Sequence, residues 1–479
     1  MWVLSASGCR WLGAAGSLAV AVGGLAAGTL PVREPWGLWV PRGSMVTVAG
    51  AVLAYLGLTL LVAAWWRYGR LLADGVRDRI LVTLACWTAP LLLAPPLYSA
   101  DVYSYIAQGA MVLEGHDVYG AGPSVLGPDD LGADAADSVG GHWTDTPAPY
   151  GPVFLVLAQA VVRLTGGEIV PAVFGMRLIA LGALALIVWA VRGLGGDSRA
   201  LWLAALNPLL LIHVVGGMHN DGLMIGLMLS GVLLAVRGRW VPGCVLVGLA
   251  MMIKSPAAVA LLFIGVMVAR RDGGVRGLVK GLLLPGLVAG AVAVGATLVA
   301  GTGFGWLRTQ SVAGAIHTAL SVTSDVGLGL GLLVGDDPEP VKSVVQTLGL
   351  LAAVVIILVL AWRAWQGRID PVLGLGLSLV GLVALSPMVQ PWYVLWGTVA
   401  VGAVGAVGWG SRLGAVLGVV SGALVYETAP SGHTPWYGFV MGGVVLVLGL
   451  VRVRRASGAA GLRGGEALVV TGPMERTRP

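Results

Sequence analysis

Long apolar segments recur along the whole chain, and they constrain the fold more than any other feature. They cover roughly 11–30, 45–64, 80–97, 152–165, 172–191, 200–215, 222–236, 241–253, 256–269, 278–300, 343–363, 371–386, 392–409, 413–428 and 436–451. Only 11% of the 479 residues are charged, whereas about a quarter are charged in a water-soluble domain. A backbone in lipid must satisfy its own hydrogen bonds, so spans of this kind are helical. The sequence predicts an all-α polytopic membrane protein with about 13 transmembrane helices, because several segments are shorter than a full span.

Arginine clusters between the apolar segments indicate which helix ends are cytoplasmic. They comprise Arg67, Arg70, Arg77 and Arg79; Arg237 and Arg239; Arg270 and Arg271; Arg363 and Arg368; Arg412; and Arg452, Arg454 and Arg455. They place three polar features on the opposite, extracytoplasmic side: the long loop 98–151, the loop GGMHNDG and the turn SPMVQPW. Segment 152–165 is predicted to be re-entrant, because a full crossing would put GGMHNDG on the arginine side. The alternative is that Arg192 and Arg199 lie on the less favoured side.

The chain is expected to form one transmembrane domain, residues 1–455, followed by a disordered cytoplasmic tail, residues 456–479. The net charge of +6 comes from the arginine clusters, so membrane lipids are expected as partners and nucleic acid is not. Cys9, Cys86 and Cys244 lie in or beside apolar segments without paired spacing. They are predicted to be buried small hydrophobic residues.

Asp101 is the first candidate for chemistry. It stands among hydroxyl side chains in YSADVYSY, directly after an apolar segment, and a charge at the membrane edge is costly enough to indicate function. The alternative is a helix N-cap, supplied by Ser99 or Asp101 for a helix that begins near Val102. Capping and a chemical role are compatible. The rest of the loop adds substrate-binding candidates at Tyr103, Asp117, Asp145 and Tyr150, although an Asp before a Gly/Pro turn such as Asp117 also has a purely structural use.

Further candidates lie in four other extracytoplasmic segments. His219, Asn220 and Asp221 open a helix in NPLLLIHVVGGMHNDGLM, where they either cap the helix or bind sugar or phosphate, since a helix N-terminus favours an anion. Lys254 in MMIKSP either snorkels or supplies a point charge for a phosphate. The remaining substrate-binding candidates are Arg308, Gln390 and Trp392; for Trp392 a place in the interfacial aromatic belt is the alternative.

Several familiar signatures are missing from the sequence. GTGFGW and GLGLGL do not complete a GxGxxG motif, and no GxxxxGK[ST], HExxH or GxSxG occurs. No nucleotide site and no cofactor are therefore predicted. No DxD pair occurs in the extracytoplasmic loops, so no metal ligands are assigned, although a divalent metal is left open.

Four motifs together resemble a known family: YSADVYSYIAQG, DTPAPYGP, NPLLLIHVVGGMHNDGLMIG and SPMVQPWYVLW. They are similar to motifs of the polyprenol-phosphomannose-dependent α-1,6-mannosyltransferases of actinobacteria, which have the GT-C fold. The resemblance implies a GT-C-type helical bundle in the plasma membrane with a long first extracytoplasmic loop and an active site on that side. It implies that Asp101 is the general base. It also implies a polyprenyl phosphomannose donor, a lipid-linked mannan acceptor and α-1,6 linkages formed with inversion.

Two other classes of function compete with this interpretation. A transporter or flippase of polyprenol-linked glycans would often carry internal repeats and polar groups near the membrane midplane. The sequence shows no repeat, and its polar groups gather at one face. A non-catalytic scaffold would tolerate the loss of both Asp101 and Asp221.

Overall fold

The computed structural model describes residues 4–33, 43–312, 316–335, 337–404 and 411–465. Its α-helices are α1 (Ala6–Ala27), α2 (Met45–Ala73), α3 (Ile80–Leu92), α4 (Asp101–Leu113), α5 (Ala133–Asp137), α6 (Pro152–Thr165), α7 (Ile169–Gly193), α8 (Ser198–Leu203), α9 (Pro208–Leu210), α10 (Asp221–Val236), α11 (Trp240–Met251), α12 (Val259–Asp272), α13 (Gly274–Ala300), α14 (Val322–Val334), α15 (Glu339–Trp365), α16 (Pro371–Ala384), α17 (Val394–Ala403), α18 (Arg412–Leu424) and α19 (Trp436–Gly465). A π-helix (Leu211–Gly216) continues α9. No strand occurs in these ranges.

Apolar helices of two lengths make up the bundle. Six described helices, namely α1, α2, α7, α13, α15 and α19, are long and apolar enough to cross a membrane. The π-helix and α10 form one further pair, bent by 114° at the break between them. Six more apolar helices have only 10–17 residues. The prediction of an all-α polytopic membrane protein is confirmed.

Glycine allows a close helix contact between α1 and α2. A Cβ added at Gly23 would lie 2.4 Å from the carbonyl oxygen of Gly50, and one at Gly57 would lie 2.5 Å from that of Gly16. Small residues allow this close approach. In lipid, packing contacts of this kind take the place of the hydrophobic effect in driving helix association.

Helix α6 begins and ends on the same side of the bundle as Asp101. A Cβ added at Gly151, just before α6, would lie 2.4 Å from the Met252 carbonyl oxygen, and one at Gly167, just after it, 2.7 Å from the Gly132 nitrogen. Gly132 belongs to the long loop. This arrangement is the one that the re-entrant interpretation of 152–165 predicts. The C-terminal ends of α7 and α10 lie together, and Arg192 and Arg237 line the same groove there.

Residues 93–100 form a strap between α3 and α4 that carries the chain to Asp101. Arg177, buried within α7, donates to the carbonyl oxygens of Ala94 at 2.7 Å, Leu92 at 3.0 Å and Pro95 at 3.4 Å. Proline lacks an N–H, so Pro95 and Pro96 leave carbonyls at the end of α3 without their usual helical donors, and Arg177 replaces those donors. Tyr98 in the strap has φ +63°, a strained conformation for a tyrosine.

The last helix is longer than the sequence analysis expected. Residues 456–465 were assigned to a disordered tail, but α19 continues through them to Gly465. Extending an existing helix costs much less than starting one, and ASGAAGLRGG contains alanine, leucine and arginine, which favour helix. The rest of the predicted tail, residues 466–479, lies outside the described residues.

Candidate active site

A cavity of about 650 Å³ opens beside the start of α4. Its upper part is polar and is lined by Asp101, Tyr150, Lys254, Gln310, Gln390 and Trp392. Its lower part is apolar and runs down between α12, α15 and α16, past Val259, Leu350, Ile357 and Leu382. Leu350 is 40% exposed on the outer surface of the bundle, the surface that faces lipid in a membrane. The cavity therefore joins a charged chamber to a lipid-facing groove.

The carboxylate of Asp101 has one oxygen engaged by the protein. The Tyr105 hydroxyl donates to Oδ2 at 3.4 Å, and Nδ1 of His219 lies 3.1 Å from the same atom. Neither of these two contacts involves Oδ1, and a quarter of the side chain is exposed toward the cavity. Ser99 accepts the backbone N–H of Asp101 at 3.1 Å, but α4 begins at Asp101 and its N-cap position is Ala100, so neither Ser99 nor Asp101 is the N-cap that the sequence suggested.

His219 reaches Asp101 because the chain is distorted just before it. The π-helix precedes it, and Met218 has φ +55°. Such features occur mostly at functional sites, since they persist only where the surroundings enforce them. The His219 ring stacks on Trp392 with centroids 3.7 Å apart. Trp392, in the turn SPMVQPW, is thus part of the site.

Lys254 lies across the cavity in a cage of aromatic rings. Its ammonium donates to Oδ2 of Asp221 at 2.7 Å and stands 4.7 Å from the centroid of the Tyr393 ring. Asp221 is fully buried, and its other oxygen, Oδ1, accepts from the Trp396 indole at 2.7 Å. With both oxygens occupied, Asp221 holds Lys254 in place and has no free surface for a sugar.

The two charged groups keep their charges at neutral pH. Burial by itself raises the pKa of Asp101, but the interaction with His219 and the positive charge of Lys254 outweigh it and hold that pKa below its ordinary value. Burial likewise lowers the pKa of Lys254, but Asp221, followed by Tyr393 and Asp101, outweighs it and raises that pKa. The chamber presents a carboxylate and an ammonium together.

The other predicted site residues are divided between this chamber and its surroundings. Tyr150, Gln390 and Trp392 line the cavity, whereas Asn220 is buried and its backbone N–H donates to the Tyr105 hydroxyl. Tyr103 is buried, with its hydroxyl donating to the Thr29 carbonyl at 2.6 Å. Asp145 accepts from Ser124 within the loop. Asp117 and Arg308 lie together in a separate cleft.

The sequence analysis did not single out several residues of the site. Trp396, Gln310 and Gln346 line or brace the cavity, and Arg177 fixes the strap from behind. Arg177 did carry a signal, because it is a charged residue inside an apolar segment. Gln310 and Gln346 carried none, since they come to the site from distant helices. In the described ranges, no three His, Cys, Asp or Glu side chains are grouped to hold a metal ion.

The fold and this chamber define a polytopic membrane enzyme, and the comparisons identify its family. Residues 10–270 match the family described as alpha-(1->6)-mannopyranosyltransferase, N-terminal domain, and residues 317–457 match the MptB C-terminal domain. A probable alpha-(1->6)-mannopyranosyltransferase of Mycolicibacterium smegmatis is 35% identical, covering 86% of this chain and 80% of that protein. An alpha-(1->6)-mannopyranosyltransferase of Mycobacterium tuberculosis is 33% identical (87% and 81%), and alpha-(1->6)-mannopyranosyltransferase B of Corynebacterium glutamicum is 31% identical (88% and 75%).

The chain therefore belongs to the alpha-(1->6)-mannopyranosyltransferase family of actinobacteria. It is a glycosyltransferase, and the sugar that it transfers is mannose. The family predicted from the four motifs is confirmed.

Proposed function

We propose that the enzyme moves mannose from polyprenyl phosphomannose to a lipid-linked mannan, forming an α-1,6 linkage with inversion. The observation that carries the proposal is the cavity itself, in which Asp101 and Lys254 share a chamber continuous with an apolar groove at the lipid-facing surface. A sugar carried on a lipid phosphate has the same three parts: a polar sugar, an anion and a long apolar chain. A donor of this kind needs no nucleotide site.

Lys254 is the group that would receive the donor phosphate. Its ammonium faces the chamber, is fixed by Asp221 and remains protonated. A fixed cation beside a leaving phosphate stabilises the charge that develops on it. With such a leaving group, the reaction does not require a general acid.

Asp101 is the group that would receive the acceptor proton. The acceptor hydroxyl oxygen attacks the anomeric carbon as its proton passes to Oδ1, and the bond from that carbon to the phosphate oxygen breaks. The lipid phosphate leaves with the bonding electrons. General base catalysis requires a carboxylate within hydrogen-bond reach, and Oδ1 is the oxygen that neither Tyr105 nor His219 contacts. A single displacement on a β-linked donor yields an α-linked product.

This reaction places the active site on the extracytoplasmic side of the plasma membrane. The supporting pattern is the gathering of arginines at the opposite helix ends, including Arg192 and Arg237. Cysteine accessibility on intact cells tests this orientation, with residues placed at Gly166 and in the loop 98–151. Labelling by a membrane-impermeant reagent at both positions is expected.

The proposal is tested with membranes that carry Asp101→Asn, supplied with polyprenyl phosphomannose and an oligomannoside. Asparagine keeps the shape but cannot take the proton, so turnover is expected to fall about 10²- to 10⁴-fold. Asp129→Asn removes an exposed acid of the same loop and serves as the matched control. Turnover of Asp101→Asn at the wild-type rate would remove Asp101 from the role of base. Linkage analysis of the product then tests the 1,6 position.

The rival function is transport of polyprenol-linked glycans, and proteoliposomes separate it from mannosyl transfer. Movement of labelled lipid across the bilayer without sugar transfer would favour the transporter. Sugar transfer to a water-soluble oligomannoside, without lipid movement, is the result that the cavity predicts.

A further inference from the structure

A second cavity, of about 540 Å³, lies where the end of α4 meets the segment 301–308. Its lining is polar and includes His116, Asp117 and Arg308, with a wall formed by Gly301, Thr302, Gly303, Phe304 and Gly305. The proposed reaction uses none of these residues. The sequence analysis selected Asp117 and Arg308 separately, from loops that are almost 200 residues apart in the chain, and the fold brings them into one cleft.

The cleft is a neighbour of the reaction chamber and shares a wall with it. Thr309 and Gln310 line the first cavity, while Arg308 and the residues before it line the second. On the other side Tyr119 packs against Gly305, where an added Cβ would lie 2.4 Å from the Tyr119 Cβ. The Tyr119 hydroxyl donates to the carbonyl oxygen of Tyr150 at 3.1 Å, and Tyr150 lines the chamber. The two cavities are therefore close neighbours.

The chemistry of the cleft favours a neutral, hydroxyl-rich ligand. Oδ1 of Asp117 accepts the backbone N–H of Tyr119 at 3.0 Å, whereas Oδ2 has no hydrogen bond to a described residue. A carboxylate oxygen in this position accepts hydroxyl protons and repels phosphate. Arg308 supplies donors, and Phe304, which is 50% exposed, offers a ring face to the C–H face of a sugar. Acceptor, donor and aromatic face are the three groups that a sugar ring engages.

We propose that this cleft is a subsite for the acceptor glycan, binding mannose units beyond the one that receives the new sugar. The inference rests on the proposed function, because it takes the acceptor to be a mannan chain whose end reaches Asp101. It assigns Asp117, Phe304 and Arg308 to acceptor binding at a distance from the reaction. The donor phosphate stays with Lys254.

The test compares acceptors of different length on the double variant Asp117→Asn/Phe304→Ala. Asparagine keeps the side-chain oxygen that accepts the Tyr119 N–H, so the turn is preserved while the charge is lost. For an α-1,6-tetramannoside the KM is expected to rise about tenfold, the size of effect that follows from losing one or two contacts. For an α-1,6-dimannoside, which ends before the cleft, KM and kcat are expected to stay within about twofold. The donor KM is expected to be unchanged.

Asp129→Asn, at an exposed acid of the same loop, is the matched control and is expected to leave all acceptors unaffected. A wild-type KM that does not fall with acceptor length, or a double variant in which both acceptors weaken equally, would overturn the subsite.

Saturation-transfer NMR of the tetramannoside on nanodisc-embedded protein without donor separates this proposal from the proposed function. Binding that is lost in the double variant supports the subsite even if no transfer occurs. Absence of transfer by wild-type protein counts against the proposed donor alone. Wild-type transfer with unchanged binding in the double variant counts against the subsite alone.

Discussion

Lys254 and Asp221 form a 2.7 Å ion pair across two helical segments, and the acid is wholly buried while the ammonium faces the chamber. The two residues are 33 positions apart in the chain. A buried carboxylate that also accepts from Trp396 cannot move to follow a substrate. The pair therefore fixes one positive charge at one place at the head of the groove.

The first prediction concerns the charge of Lys254. Lys254→Gln is expected to raise the donor KM about tenfold or more, because a charge-assisted contact to phosphate contributes more than a neutral one. The acceptor KM is expected to change little. Lys280→Gln, at a partly exposed lysine paired with Asp272, is the control. An unchanged donor KM at normal expression would show that Lys254 merely snorkels.

The second prediction concerns the coupling between Lys254 and Asp221. Asp221→Asn is expected to raise the donor KM as well, since the ammonium loses its anchor. The effects of substitutions within one ion pair are not additive. The double variant Asp221→Asn/Lys254→Gln is therefore expected to raise the donor KM by a factor smaller than the product of the two single effects. Steady-state kinetics of the four proteins complete the cycle. Strictly multiplicative effects would mean that Asp221 acts independently of Lys254.

The third prediction concerns Arg177 and the strap. Lysine cannot reproduce a planar fork that serves three carbonyls, so Arg177→Lys is expected to lower kcat at least about tenfold by letting Asp101 shift. Substrate KM values are expected to change less than kcat. Arg163→Lys, at an exposed arginine of α6, should match the wild type. Equal kcat values for Arg177→Lys and Arg163→Lys would show that the strap does not affect catalysis.

The fourth prediction concerns pH. The pKa of Asp101 lies below its ordinary value of 3.8, and a base works only when deprotonated, so activity attributable to Asp101 is lost only as pH falls below that range. The pKa of Lys254 is raised, so its charge is lost only at strongly basic pH. A kcat that is flat from about pH 5 to 8 is therefore expected. A kcat that falls between pH 8 and pH 5 would contradict this expectation.

Much of the fold followed from the sequence because lipid restricts the options so strongly. Apolar length and arginine position predicted the spans. The arginine positions around 152–165 led to the re-entrant interpretation, and the residues that flank α6 contact Met252 and Gly132, both in or beside predicted extracytoplasmic segments. The continuation of α19 to Gly465 was missed, because composition alone does not show that a preceding helix has already met the cost of nucleation.

The candidate site could be predicted where a polar residue had no ordinary structural role, such as a helix cap or a turn, to explain it. Asp101, Lys254, His219 and Trp392 meet at one chamber, although they come from four segments. The sequence could not show which of these side chains reach the cavity residues: Asp221 accepts from Lys254, whereas the buried Asn220 is not among the residues that line the cavity. His219, Asn220 and Asp221 are adjacent in the sequence, but their side chains leave the backbone in different directions and have different neighbours.

The groove that opens past Leu350 has a kinetic consequence. A donor that enters sideways is confined to two dimensions, so its effective concentration is its mole fraction in the bilayer. Adding buffer to a suspension of membranes leaves that quantity unchanged, whereas adding inert lipid lowers it. A water-soluble oligomannoside acceptor arrives from three-dimensional solution and obeys the opposite rule. Dilution with inert lipid therefore lowers the effective concentration of the donor, and dilution with buffer lowers that of a soluble acceptor.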